Sequence, residues 1–219
     1  MTTYKEIFGK QVKNFSSDPA NNAEGQIWFN TTSGTFKSLI QIKAWSAGGS
    51  LATARREAAG TGTQTAGLFF GGGGAPNGST DTTATEEYNG FNFTTSGNMN
   101  TAREGLASAG TQTSALGYGG ANYGSPVGIT NKTEEYGGTS WTSVNNMNNS
   151  RSYLSGFGAS QTAAIAVGGN GPTPSNSAAT ESYDGTNWTN LSAPSNVPSI
   201  DFTSASCGTQ TAGLLFGGG

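Results

Sequence analysis

The 219-residue chain has only 11% charged residues, a net charge of −3, 35 glycines and 10% aromatic residues. That weak negative balance provides no electrostatic footprint for nucleic acid and no basic patch for anionic lipid. The absence of histidine excludes Ser-His-Asp and Cys-His catalysis and histidine-based zinc or copper sites, and a single cysteine, Cys207, excludes an internal disulfide.

The N-terminal stretch TYKEIFGKQVKNF is lysine-rich and has no apolar core of the signal-peptide kind, and no later run approaches the length of a membrane span. Synthesis in a cytosol is therefore expected. Asp18-Pro19 and Asn21-Asn22 are loop signals. After them GQIWFN, the turn TTSG and TFKSLI predict a β-hairpin. Residues 1–36 fit no repeat and are expected to form an arm and hairpin, either packed on the rest or docked to a larger body.

From residue 37 onward the sequence repeats. Gln64, Gln112, Gln161 and Gln210 recur at intervals of 48, 49 and 49 residues, and Trp45, Phe93, Trp141 and Trp188 at 48, 48 and 47. Tyr88, Tyr136 and Tyr183 stand five residues before the last three of these aromatics, and Arg55, Arg103 and Arg151 ten residues after the first three. Pro198 occupies the fourth arginine position. Each unit reads as four short strands, as in GLASAGT (105–111), SALGYGG (114–120), KTEEY (132–136) and WTSV (141–144), separated by turn chemistry. A repeated four-stranded unit of this length predicts a β-propeller blade, with the small-residue strand innermost. An elongated solenoid is the other repeating architecture, but its coils are shorter and lack four turn-separated strands.

The series of paired glycines, Tyr, Trp and Met-x-x-x-Arg resembles the kelch repeat, standing here as Gly119-Gly120, Tyr136, Trp141, Met147 and Arg151. Phe93 in a tryptophan position and the missing last arginine depart from that pattern. The expected fold is all-β: a kelch-like β-propeller over 37–219 with a docking segment over 1–36. KSLIQIKAWSA (37–47) reads as two outer strands and 201–219 as two inner strands. Sharing one sheet, they would close about four blades without an exposed inner edge. A longer chain with further whole blades satisfies the same complementarity.

The charges locked to the period are Arg55, Arg103 and Arg151 with Glu86, Glu134 and Glu181, expected to pair as structural ions, with Trp45, Trp141 and Trp188 as blade-packing positions. Glu86 and Glu87 are adjacent on a strand, point to opposite faces, and so cannot flank one glycosidic bond. Cys207 falls in the small-residue position of Thr61, Ala109 and Gly158 and is expected to be a packed thiol. The glycine runs have no Gly-Lys-Ser/Thr and no following helix, so they are strand ends and not phosphate loops. No catalytic residue, metal or cofactor is expected. The variable loops 73–83, 121–131 and 170–180 offer Asn122, Tyr123 and Asn131 as a candidate ligand-binding set.

The N-terminal stretch GQIWFNTTSGTFK, followed by AWSAGGSLATAR and GTQTAG, looks like kelch-like structural proteins of marine bacteriophages. That resemblance implies a non-enzymatic tail, fibre or surface component of the virion, assembled in the host cytoplasm and oligomeric in the particle. Residues 1–36 would contact other virion proteins, and the propeller would meet a host-surface glycan or protein. A glycan-binding propeller lectin and an intracellular kelch adaptor for a protein partner are the alternative readings.

Overall fold

The structure is a computed structural model, described here for residues 12–20, 26–38, 48–74, 80–123, 128–172, 178–192 and 204–217. It is all-β and divides into two compact units, Met1–Ala47 and Gly48–Gly219. Among the described residues no helix is long and apolar enough to cross a membrane.

In the first unit β1 (Lys13–Phe15) lies parallel to β2 (Ile27–Asn30), which pairs antiparallel with β3 (Thr35–Ser38). The β2–β3 hairpin follows the pattern IWFN-TTSG-TFKS, and β1 is an addition the alternation of the sequence does not signal. Asn30 Oδ1 accepts from the amides of Thr32 and Ser33 and so shapes the turn. Asp18 ties the unit together by accepting from Lys37 Nζ at 2.8 Å, Asn30 Nδ2 at 2.9 Å and Trp28 Nε1 at 3.1 Å. The bonds from Lys37, Asn30 and Trp28, in that order, hold its carboxyl down to about 2.

The second unit repeats one sheet three times. Short ladders at β4 (Arg55–Arg56) and β7 (Gly73–Gly74) flank the first, which is β5 (Ala59–Thr63), β6 (Ala66–Phe70), β8 (Thr85–Tyr88) and β9 (Phe93–Ser96) in spatial order. The second is β10 (Ala107–Thr111), β11 (Ser114–Tyr118), β14 (Thr133–Tyr136) and β15 (Trp141–Val144), with a small ladder of β12 (Ala121–Asn122) and β13 (Gly128–Ile129) beside it. The third is β16 (Ser155–Ser160), β17 (Ala163–Val167), β18 (Thr180–Tyr183) and β19 (Trp188–Leu191). A terminal hairpin, β20 (Ala205–Thr209) and β21 (Ala212–Phe216), repeats the inner pair. The bulge in β16 between Phe157 and Ser160 absorbs the extra residue that lengthens the interval from Gln112 to Gln161 to 49.

The small-residue strands β5, β10, β16 and β20 pack side by side in succession, with β5 and β20 at the two ends of the series. Alternate residues of each second strand then fill the space between sheets. Leu68 and Phe70 meet Ala115, Tyr136 and Trp141, and Leu116 and Tyr118 meet Ala164, Ala166, Tyr183 and Trp188. Large side chains on one sheet oppose small ones on the next, so the layers interdigitate. The Phe70 and Trp141 ring centroids stand 4.6 Å apart and those of Tyr118 and Trp188 4.9 Å apart.

Both ends of this series are uncovered in the described residues. Leu214 and Phe216, which repeat the positions of Leu68 and Phe70, are 60% and 53% exposed. At the other end a cavity of about 420 Å³ opens over Phe69, Tyr88 and Phe93. The expectation of a packed thiol at Cys207 is corrected: its repeat counterpart Ala109 is buried under the following sheet, whereas Cys207 is exposed because no described sheet follows the hairpin. Residues 39–47, including Ile40 and Trp45, and Pro198 lie outside the described residues.

Because the folded-state pKa of Asp18 is depressed, its contribution to the first unit is complete above the ordinary aspartate range and is lost as pH falls through about 2. An acid titration of Trp28 side-chain NMR signals is expected to show the indole N–H losing protection between about pH 4 and pH 2, a transition that Asp18→Asn abolishes.

Candidate functional site

The third strands carry the word Thr-Glu-Glu-Tyr in the first two sheets and Thr-Glu-Ser-Tyr in the third, and this word explains most of what the period retains. Its alternation sends Thr85 and Glu87 towards the following sheet and Glu86 and Tyr88 the other way, since successive side chains point to opposite faces. Thr85 Oγ1 accepts from Trp141 Nε1 at 2.9 Å, and Thr133 Oγ1 from Trp188 Nε1 at 3.1 Å. Glu87 accepts from Tyr136 Oη at 2.5 Å, and Glu135 from Tyr183 Oη at 3.1 Å. Burial, with the Glu87 carboxylate adding to it, pushes the Tyr136 phenol up to about 12.

The first glutamate of each word belongs to a buried ion pair. Arg55 meets Glu86 at 2.8 Å, Arg103 meets Glu134 at 3.0 Å and Arg151 meets Glu181 at 2.8 Å, every side chain nearly fully buried. The Arg103 Nη1 atom also donates to the carbonyls of Gly119 and Lys132, and Arg151 Nη1 to those of Gly168 and Ala179. The second carboxylate oxygen accepts a connector amide in all three: Ala52, Asn100 and Asn148. Burial pulls Arg103 down to about 10, so it stays charged at neutral pH. In each arginine Nε is buried without a partner. With side-chain exposures of 0–2%, these pairs present nothing to a ligand and act as frame.

The paired glycines belong to the same frame. Gly71 and Gly72, Gly119 and Gly120, and Gly168 and Gly169 all have φ between 64° and 100°. There the chain passes under the arginine connector, and a Cβ on Gly119 would stand 2.7 Å from the Arg151 carbonyl oxygen.

Of the three loop residues singled out in the sequence, two are committed to the backbone. Asn131 Nδ2 donates to the Met147 carbonyl and Asn122 Nδ2 to that of Ala102. Tyr123 is 41% exposed, and its amide donates to Asp81 Oδ2 at 2.5 Å. Its side chain hydrogen-bonds to Tyr153, whose hydroxyl donates to Glu57 Oε2 at 2.6 Å. Burial first, then Glu57 and Tyr123, raise the Tyr153 phenol well above its ordinary range. Beside them Arg56 contacts the buried carboxylate of Glu104 at 3.3 Å. This cluster is the candidate site.

Glu57 and Tyr153 escape sequence reasoning, yet a signal for them exists. They occupy the repeat position of Gly105, and all three lie in the left-handed region, with φ of 52°, 54° and 62°. A non-glycine residue there costs about 1–3 kcal/mol and persists where the surroundings enforce it. The three corners are joined in series, Gly105 N to the Glu57 carbonyl at 3.0 Å and Tyr153 N to the Gly105 carbonyl at 2.7 Å. Among the described residues no group of three acidic or cysteine side chains could hold a metal ion.

No family model and no curated protein matches the chain.

Replacing Arg103 with Met leaves Glu134 buried and unpaired, and is expected to destabilise the second unit by about 3–5 kcal/mol in thermal or denaturant unfolding. Arg103→Met with Glu134→Leu removes both charges together and is expected to recover only part of that loss, because the carbonyls of Gly119 and Lys132 and the amide of Asn100 lose their partners.

Proposed function

We propose that this chain is a non-enzymatic structural protein of a bacteriophage particle, a tail, fibre or surface component that presents a kelch-like propeller to the host surface. The observation that carries this reading is the exposed Tyr123–Tyr153–Glu57 cluster, held on corners that a fully buried ionic frame fixes in place. Binding loops on a rigid scaffold are the usual arrangement of recognition surfaces. The resemblance of the N-terminal stretch to phage structural proteins supplies the setting. Residues 1–36 are proposed to dock on other virion proteins. A glycan-binding lectin is the same surface viewed by activity, and an intracellular adaptor is the remaining alternative.

The finer architecture is part of the proposal. Outer strands for the terminal hairpin are proposed to come from residues 37–47, within a ring of about four blades or a longer one. Support comes from Thr180, only 8% exposed, whose Oγ1 is buried and unpartnered where Thr85 and Thr133 accept from a tryptophan. In the repeat register the next tryptophan is Trp45. The losses are also complementary. Ser182 replaces the second glutamate where Ile40 replaces the next tyrosine, and Ser38 replaces the first glutamate where Pro198 replaces the arginine.

A double-mutant cycle of Trp45→Phe and Thr180→Val is expected to give a coupling of about 1 kcal/mol in unfolding experiments. Zero coupling would remove the shared sheet. For the setting, the protein is expected in purified particles by mass spectrometry, and the isolated chain is expected to slow phage adsorption to host cells. Its absence from particles, with capture of a host cytoplasmic partner, would turn the assignment to the adaptor.

A further inference from the structure

The exposed tyrosine cluster has a chemistry that narrows its ligand. Tyr153 lies flat on Gly105, where an added Cβ would stand 3.1 Å from its ring, so one face is covered and its position is fixed. Its hydroxyl is bound to Glu57, and Tyr123 joins it from the second-sheet loop. The side chains of Arg56 and Glu57 are 48% and 37% exposed, and Tyr123 is 41% exposed. An aromatic face, a carboxylate and a planar guanidinium are therefore within one patch and open to solvent.

Charge then selects among ligands. Arg56 contributes one positive charge, against one negative charge each from Glu57, Glu104 and Asp81, so the patch is net negative. Anionic glycans, phosphates and sulfates are repelled.

We propose that this patch binds a neutral saccharide. The C–H face of the sugar ring lies on Tyr123, and neighbouring hydroxyls donate to the Glu57 carboxylate and accept from the Arg56 guanidinium. The left-handed corners at Glu57 and Tyr153 hold the polar groups in place before the ligand arrives, which lowers the ordering cost of binding. The inference rests on the surface-attachment reading and gives that surface its ligand class.

The test is a glycan array followed by calorimetric titration of the intact 219-residue chain with the neutral oligosaccharides that score, and with sialylated and sulfated counterparts. Neutral glycans are expected to bind and the anionic forms to bind at least about tenfold more weakly. Tyr123→Ala and Glu57→Gln are each expected to weaken binding about tenfold or more, the worth of one well-formed contact. Tyr123→Phe, which keeps the ring, is expected to retain most of it, and unchanged melting of all three variants is the control for folding. A blank array, a preference for anionic glycans, binding of lysine-rich peptides instead, or affinity untouched by these substitutions would each overturn the saccharide site. Adsorption blocking by the wild-type chain separates the two readings: if it persists while glycan binding is absent, the attachment reading stands and the saccharide falls. If neither occurs, both fall.

Discussion

Each four-stranded sheet of the second unit depends on a buried arginine reaching a glutamate on a strand about thirty residues later. Arg55, Arg103 and Arg151 sit on the connectors that enter each inner strand, and Glu86, Glu134 and Glu181 sit on the third strands. Charges so buried persist because their hydrogen-bonding groups are nearly all used. Besides the carboxylate, Arg55 binds one backbone carbonyl, Arg103 three and Arg151 two, and the other carboxylate oxygen takes a connector amide. The pair therefore specifies the path of a connector. Its constraint passes to the paired glycines beneath it and to the left-handed corners at Glu57, Gly105 and Tyr153.

Sheets so fixed are joined by contacts that need two neighbours each. The tryptophan indole reaches a threonine and the tyrosine hydroxyl a glutamate on the preceding third strand. The recurring glutamine adds another link: Gln112 Nε2 donates to the Tyr88 carbonyl, and Gln210 Nε2 to that of Tyr183. Inner strands are tied by hydroxyl groups, with Thr61 donating to the Gly110 carbonyl and Ser108 to that of Gly60. Small residues on these strands leave room for such close approach. A chain with so few charges thus gains its order from polar bonds spaced by a period, with apolar layers between.

The proposed recognition surface is built on the same frame. The left-handed corners bring Glu57 and Tyr153 into contact from positions 96 residues apart. Tyr123 reaches them from a loop whose start is pinned by the β12–β13 ladder. The proposed site draws on Glu57, Tyr123 and Tyr153, whereas Asn122 and Asn131, equally polar in sequence, donate to backbone carbonyls.

The sequence by itself determined the strands, because hairpins with turn residues and two-residue alternation are local and were written three times over. The strands read as 105–111, 114–120, 132–136 and 141–144 differ from β10, β11, β14 and β15 by two residues at most at any end. It also contained the arginine–glutamate period, since charges that recur together in a weakly charged chain have few other uses. It did not contain β1, whose parallel pairing with β2 no local alternation marks. Nor did it separate Tyr123 from Asn122 and Asn131, or point to Tyr153 and Glu57. Those outcomes depend on which long-range neighbour reaches a polar atom first, and tertiary packing alone decides that.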